Sequence, residues 1–102
     1  MSEPQFSLSD YLSTVQEVIQ ITFNEPVWVK AEIRNLNIKG GHYYLELAEK
    51  DESTDKVIAS CKGTIWKFTA QKMVLKFERE SGVELSKDLN VLVKVRAKFD
   101  PQ

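Results

Sequence analysis

Residues 27–51 read VWVKAEIRNLNIKGGHYYLELAEKD, and the fold follows from this stretch. From Val27 to Leu36 the side chains alternate with period two. Val27, Val29, Ala31 and Ile33 share one face, and Trp28, Lys30, Glu32, Arg34 and Leu36 share the other. This is the pattern of a half-buried strand. Asn37 to Gly41 is a polar turn, with Gly40 and Gly41 free to take positive φ. His42 to Glu49 makes a second strand, with Tyr43, Leu45 and Leu47 on one face and His42, Tyr44 and Glu46 on the other. The segment is a β-hairpin whose outward face carries Trp28, Lys30, Arg34, Lys39, His42 and Tyr44.

N-terminal to the hairpin, residues 1–5 have the composition of a frayed end. A helix follows. Ser7 supplies an N-cap oxygen, Asp10 stands at the capping-box position, and Phe6 and Tyr11 occupy hydrophobic-staple positions. Leu8, Leu12, Val15, Ile19 and Thr22 recur at helical spacing, with Val18 widening the stripe. Pro26 biases Glu25 away from helical dihedrals, so the helix ends near Phe23-Asn24.

C-terminal to the hairpin, residues 50–56 (KDESTDK) are wholly polar and form an exposed loop. Val57 to Lys62 is a third strand, and Gly63 predicts a bulge or bend at its end. Trp66, Ala70, Met73 and Phe77 give residues 65–80 the stripe of an amphipathic helix, stopped by Ser81-Gly82. Met73, Phe77 and Cys61 are expected in the core. A fourth strand spans Asn90 to Phe99. Its Val91, Val93, Val95, Ala97 and Phe99 oppose Leu92, Lys94, Arg96 and Lys98.

The chain has 102 residues, of which 42% are hydrophobic and 28% charged, which suits one ordered domain with a modest core. Formal net charge is −1, so any nucleic-acid site must be a local patch rather than a whole-molecule field. One cysteine excludes an internal disulfide and a cysteine-based metal framework, and it fits a reducing, cytoplasmic compartment. No apolar run approaches the ~18 residues of a membrane span. MSEPQFSLSD lacks the basic and apolar regions of a secretory signal.

Helix, three strands, helix, strand is the chain order of an OB-fold, a small five-stranded Greek-key barrel used for oligonucleotides and oligosaccharides. The expected fold is thus mainly β with two helices. Residues 1–24 form an N-terminal arm and helix, and residues 27–99 hold the barrel strands and an inter-strand helix. One domain covers residues 1–102. Only four strands can be read before Gln102, so the sequence looks like a piece of a longer protein with the fifth strand truncated. In such a barrel the fifth strand lies between the third and fourth. Its loss predicts open edges on both, and with them either association of copies through those edges or disorder in the last strand.

The residues also resemble a family. FSLSDYLSTVQEVIQ, VWVKAEIRNL and GGHYYLELAEKD are similar to the N-terminal domain of the exodeoxyribonuclease VII large subunit. That family sets a helix before a V-W-V-x-x-E-I-x-x-L strand, matched here by Val27, Trp28, Val29, Glu32, Ile33 and Leu36. A Gly-His-aromatic-Tyr segment follows, matched by Gly41, His42, Tyr43 and Tyr44. Ile65-Trp66 and the LVKV run at 92–95 also look similar. The resemblance runs from about Phe6 onward. It implies an OB-fold that binds single-stranded DNA for a nuclease domain outside this chain. It also implies the exodeoxyribonuclease VII small subunit as a partner of the full-length protein. The acidic loop at 50–56 departs from what a DNA-binding loop needs.

Single-strand binding pairs cations that follow phosphates with rings on which bases stack. Lys30, Arg34, Lys39, His42 and Tyr44 are the candidate nucleic-acid-binding residues. Trp28 is expected to be structural, buried under the N-terminal helix. His42, the only histidine, has two readings: a nucleic-acid contact, or a cap for the glycine turn. Lys94, Arg96 and Lys98 either extend a phosphate track or pair across strands with Glu32. Asp51, Glu52 and Asp55 lack the glycine and terminal glutamate of an EF-hand. No nucleophile–histidine–acid set, phosphate loop or dinucleotide fingerprint is present. No catalytic residue, cofactor or metal is therefore assigned. Two further functions share these features: a docking module that holds a nuclease assembly together, and an RNA-binding barrel.

Overall fold

The structure, a computed structural model, describes residues 3–102. The expected frayed end falls partly outside that range, and residues 3–7 carry no regular structure. The elements run α1 (Leu8–Thr22), β1 (Val27–Lys39), β2 (His42–Lys50), β3 (Val57–Ile65), α2 (Lys67–Ser81) and β4 (Asn90–Val95). The four strands form one sheet in the order β3-β2-β1-β4. This is the strand neighbourhood of an OB-fold. β3 and β4, between which such a barrel holds its fifth strand, are the two edges. The chain divides into two compact units: residues up to Val29 together with Lys94–Gln102, and Lys30–Val93.

In the first unit, α1 starts as its sequence dictates. Ser7 Oγ accepts from the Asp10 N–H at 3.1 Å. The Phe6 and Tyr11 rings meet edge to face at 6.2 Å, closing the staple. Leu12, Val15 and Ile19 are half-buried, whereas Leu8 and Val18 are exposed. Gln16 Nε2 donates to the Phe99 carbonyl at 3.1 Å. This bond bears on the fourth strand, expected to reach Phe99 but ending at Val95. A strand needs a ladder partner, and at Phe99 the carbonyl goes to a helix side chain instead. Arg96 and Lys98 therefore lie beyond the strand rather than continuing a period-two stripe. Trp28, expected to be buried, is 62% exposed, with Lys94 Nζ 5.8 Å from its ring centroid.

The second unit holds the core. Ile33, Leu45 and Leu47 form its buried centre, with Ala31, Leu36, Ile65, Leu85 and Val91 packed around it. Pairing of β1 with β2 is antiparallel, and the register shifts between Ile33 and Asn35. Arg34 is the extra residue of a β-bulge. A strand without it would keep Ile33 and Asn35 on one face. The bulge instead turns Leu36 inward, opposite Leu45, correcting the expectation that Leu36 faces outward. β3 runs regularly through Gly63 to Ile65, and no bulge forms there. Its register shift lies between the pairs Glu49–Ala59 and Lys50–Val57, with Ile58 as the extra residue.

Cys61 sits opposite Leu47 yet is exposed, not a core residue, because β3 is an edge strand. In α2 the buried residues are Ala70 and Val74, with Phe77 half-buried and Met73 exposed. The helix begins one residue after Trp66, so the tryptophan is its N-cap and lies outside the buried stripe. Gly82, at φ +75°, donates its N–H to the Glu78 carbonyl at 3.0 Å and ends the helix.

Candidate nucleic-acid interface

The hairpin turn is tighter than its sequence suggests. β1 continues to Lys39, and only Gly40 and Gly41 lie between the strands, at φ +60° and +84°. Two consecutive left-handed residues make the type I′ geometry that matches strand twist. Lys39 consequently pairs with His42, Asn37 with Tyr44, and Asn35 with Glu46. These residues occupy the outer face. The Arg34 bulge puts Lys39 there: unbroken alternation from Ile33 would have turned Lys39 toward the core. Beside them, β3 adds Thr64 opposite Tyr44 and Lys62 opposite Glu46.

Of the five candidates, the structure brings together Lys39, His42 and Tyr44. Lys39 is the cross-strand partner of His42, and the His42 and Tyr44 rings lie 6.3 Å apart at 64°. Arg34 and Lys30 are exposed but more remote. An extended strand covers at most roughly 17 Å from Lys39 to Arg34 and roughly 30 Å to Lys30. Glu32 forms its ion pair with Lys50 at 3.4 Å, so the partner of Glu32 comes from β2.

His42 caps a helix rather than the glycine turn. Its Nδ1 accepts from the Lys67 N–H at 2.9 Å, in the first turn of α2. A helix leaves its first N–H groups without internal acceptors, and the side chain of the N-cap residue Trp66 has no oxygen to offer one. The imidazole fills that role. With Nδ1 accepting, a neutral ring keeps its proton on Nε2. The Lys67 stem lies over the turn: a Cβ built on Gly41 would come within 2.9 Å of Lys67 Cγ.

Trp66 and Phe68, assigned no site role from sequence, are 60% and 79% exposed. The indole meets the His42 ring edge to face at 5.3 Å, and Lys67 Nζ lies 6.0 Å from the Phe68 ring centroid. By spacing alone Trp66 fits the buried stripe of the helix, so the sequence carries no signal that sets it apart.

The loop between β2 and β3 spends its first acid on itself. One Asp51 carboxylate oxygen accepts from Ser53 Oγ at 2.6 Å, the Ser53 N–H at 2.9 Å and the Thr54 N–H at 3.1 Å. The Ser53 hydroxyl first, then the two backbone N–H groups, hold the Asp51 carboxyl below its ordinary value. Among the described residues, no group of three or more His, Cys, Asp or Glu side chains could hold a metal ion. No helix among them is long and apolar enough to cross a membrane.

A small sheet of this order, with rings and lysines sharing its outer face, has the architecture of an OB-type β module. The chain matches the family model described as OB-fold nucleic acid binding domain over residues 6–102, and it belongs to that family. Among curated proteins and among solved structures, none matches significantly. The family is a nucleic-acid-binding domain.

Proposed function

We propose that this chain binds single-stranded DNA through the outer face of the β1–β2 hairpin. On this reading it is the N-terminal domain of an exodeoxyribonuclease VII large subunit. One non-catalytic domain over residues 1–102 presents the strand to a nuclease domain elsewhere in a cytoplasmic enzyme. The observation that carries the reading is the gathering of Lys39, His42 and Tyr44 on one face by the Arg34 bulge and the Gly40-Gly41 turn. Lys39 offers charge to phosphate and Tyr44 a ring to a base. Lys30 and Arg34 continue the cationic line along β1 toward the far end of the strand.

The test is fluorescence anisotropy of a labelled oligothymidine titrated with the protein at stepped salt concentrations. Tight binding at low salt that weakens steeply with added salt supports the reading, because contacts to phosphates release condensed counterions. Absent or salt-indifferent binding overturns it. Competition with an RNA oligomer of equal length separates DNA from RNA preference, since a 2′-hydroxyl distinguishes the two.

A second reading has its own observation. β3 and β4 are unpaired edges, and β3 exposes Val57, Ile58 and Cys61. Such an edge accepts a strand from another chain. On this reading the chain is an assembly module, meeting a second copy or the exodeoxyribonuclease VII small subunit. Light scattering across a concentration series, with and without that subunit, distinguishes the two. A strict monomer that ignores the subunit removes the assembly reading.

A further inference from the structure

Trp66 occupies a place that stability does not explain. N-cap positions favour Ser, Thr, Asp and Asn, whose side chains accept from the first turn. Trp66 makes no such bond, and His42 makes it instead. The indole is not in the core either, being 60% exposed. Phe68 is more exposed still, and Tyr44 is 39% exposed. Clustered exposed rings of this size mark contact surfaces.

The geometry leaves ring faces available. His42 stands between Tyr44 and Trp66, at 64° to one and 82° to the other. Edge-to-face contacts of this kind fix rings without covering both faces. Strand alternation aligns the cluster with the outer face: Tyr44 pairs with Thr64, and Trp66 follows two residues on. Lysines surround it. Lys39 is opposite His42, Lys62 lies one row from Tyr44, and Lys67 reaches over Phe68. Glu46, opposite Lys62, is the carboxylate of those rows.

We infer that Trp66 is a base-stacking residue, and that a bound single strand runs from the hairpin turn onto the first turn of α2. The inference rests on the reading that the hairpin's outer face binds single strands, and it extends that site to residues of a different element. Lysines interleaved with rings select a polyanion with flat bases over an apolar protein surface.

The experiment uses the two tryptophans as separate reporters in the whole chain. In Trp28→Phe the remaining indole is Trp66, and in Trp66→Phe it is Trp28. Oligothymidine is added to each at low salt while intrinsic fluorescence and the anisotropy of a labelled strand are followed. The expected result is quenching in Trp28→Phe, with little change in Trp66→Phe. Trp66→Ala raises the dissociation constant about 5- to 150-fold, the range that one base–aromatic stack supplies. Far-UV circular dichroism checks that the variants fold, and the Trp28→Phe readout leaves residue 66 untouched. Full-strength binding with Trp66 fluorescence unmoved overturns the stacking role while leaving the hairpin reading intact. No binding by the unaltered protein at low salt overturns both.

Discussion

His42 Nδ1 accepts from the Lys67 N–H at 2.9 Å, joining the hairpin to the first turn of α2 across 25 residues of sequence. A helix cap is normally local. Here the capping residue belongs to the hairpin, so the candidate interface and the helix start share one hydrogen bond. His42→Ala should lower stability by about 1 kcal/mol, as loss of a cap does. Urea denaturation checks this, and an unchanged midpoint would show that the bond contributes nothing.

The two turn glycines should respond differently to substitution. Gly40, at φ +60°, is in the left-handed region that Asn tolerates, and its nearest neighbour, His42 Cδ2, is 3.8 Å from a built Cβ. Gly40→Asn should be nearly neutral. Gly41, at φ +84°, would also place its Cβ 2.9 Å from Lys67 Cγ. Gly41→Ala should cost about 1–3 kcal/mol, the range for a strained non-glycine residue. Equal thermal midpoints for the two variants would contradict the close approach of Lys67.

Asp51 sets an acid limit on its loop. Its folded carboxyl titrates below the ordinary value of 3.8 because Ser53 and Thr54 donate to the charged form. A depressed acid contributes order that is present above the unfolded value and is lost as pH falls through the folded one. The Ser53 and Thr54 amide signals should therefore move with a midpoint below that of an ordinary aspartate. Asp51→Asn should abolish that titration. Nuclear magnetic resonance follows both, and a shift centred at or above the ordinary value would contradict the hydrogen-bond assignment.

Lys39 and Lys30 test how the face is used. If Lys39 contacts one phosphate, Lys39→Ala should flatten the logarithmic salt dependence of single-strand binding by about 0.7. Lys30, up to roughly 30 Å along the strand, should matter only for oligomers long enough to reach it. Anisotropy titrations with short and long oligothymidines measure both effects. A Lys30→Ala defect equal for short and long strands would place the site elsewhere on β1.

Much of this molecule is legible in its residues because the relevant forces are local. Ser7, Phe6 and Tyr11 announce α1, Gly82 ends α2, and period-two alternation marks β1, β2 and β4. The errors share a cause: each depends on a partner distant in sequence. The Arg34 bulge contains no glycine to flag it, and it becomes visible only when Asn35 is seen opposite Glu46. Cys61 reads as a core residue until β3 is found at the sheet edge. Trp66 fits a helical stripe by spacing, but the cap from His42 starts the helix one residue later. Of the candidate site, charge, ring content and the grouping of Lys39 with Tyr44 are readable, whereas the bulge that turns Lys39 outward is not.

The most direct test of single-strand binding on the outer hairpin face is amide chemical-shift mapping on the isotopically labelled chain. Unlabelled oligothymidine is added at low salt. Shifts concentrated at Lys39–Tyr44, Lys62–Thr64 and Trp66–Phe68 are the expected result. A strand that leaves those amides unmoved, or moves α1 instead, would contradict it.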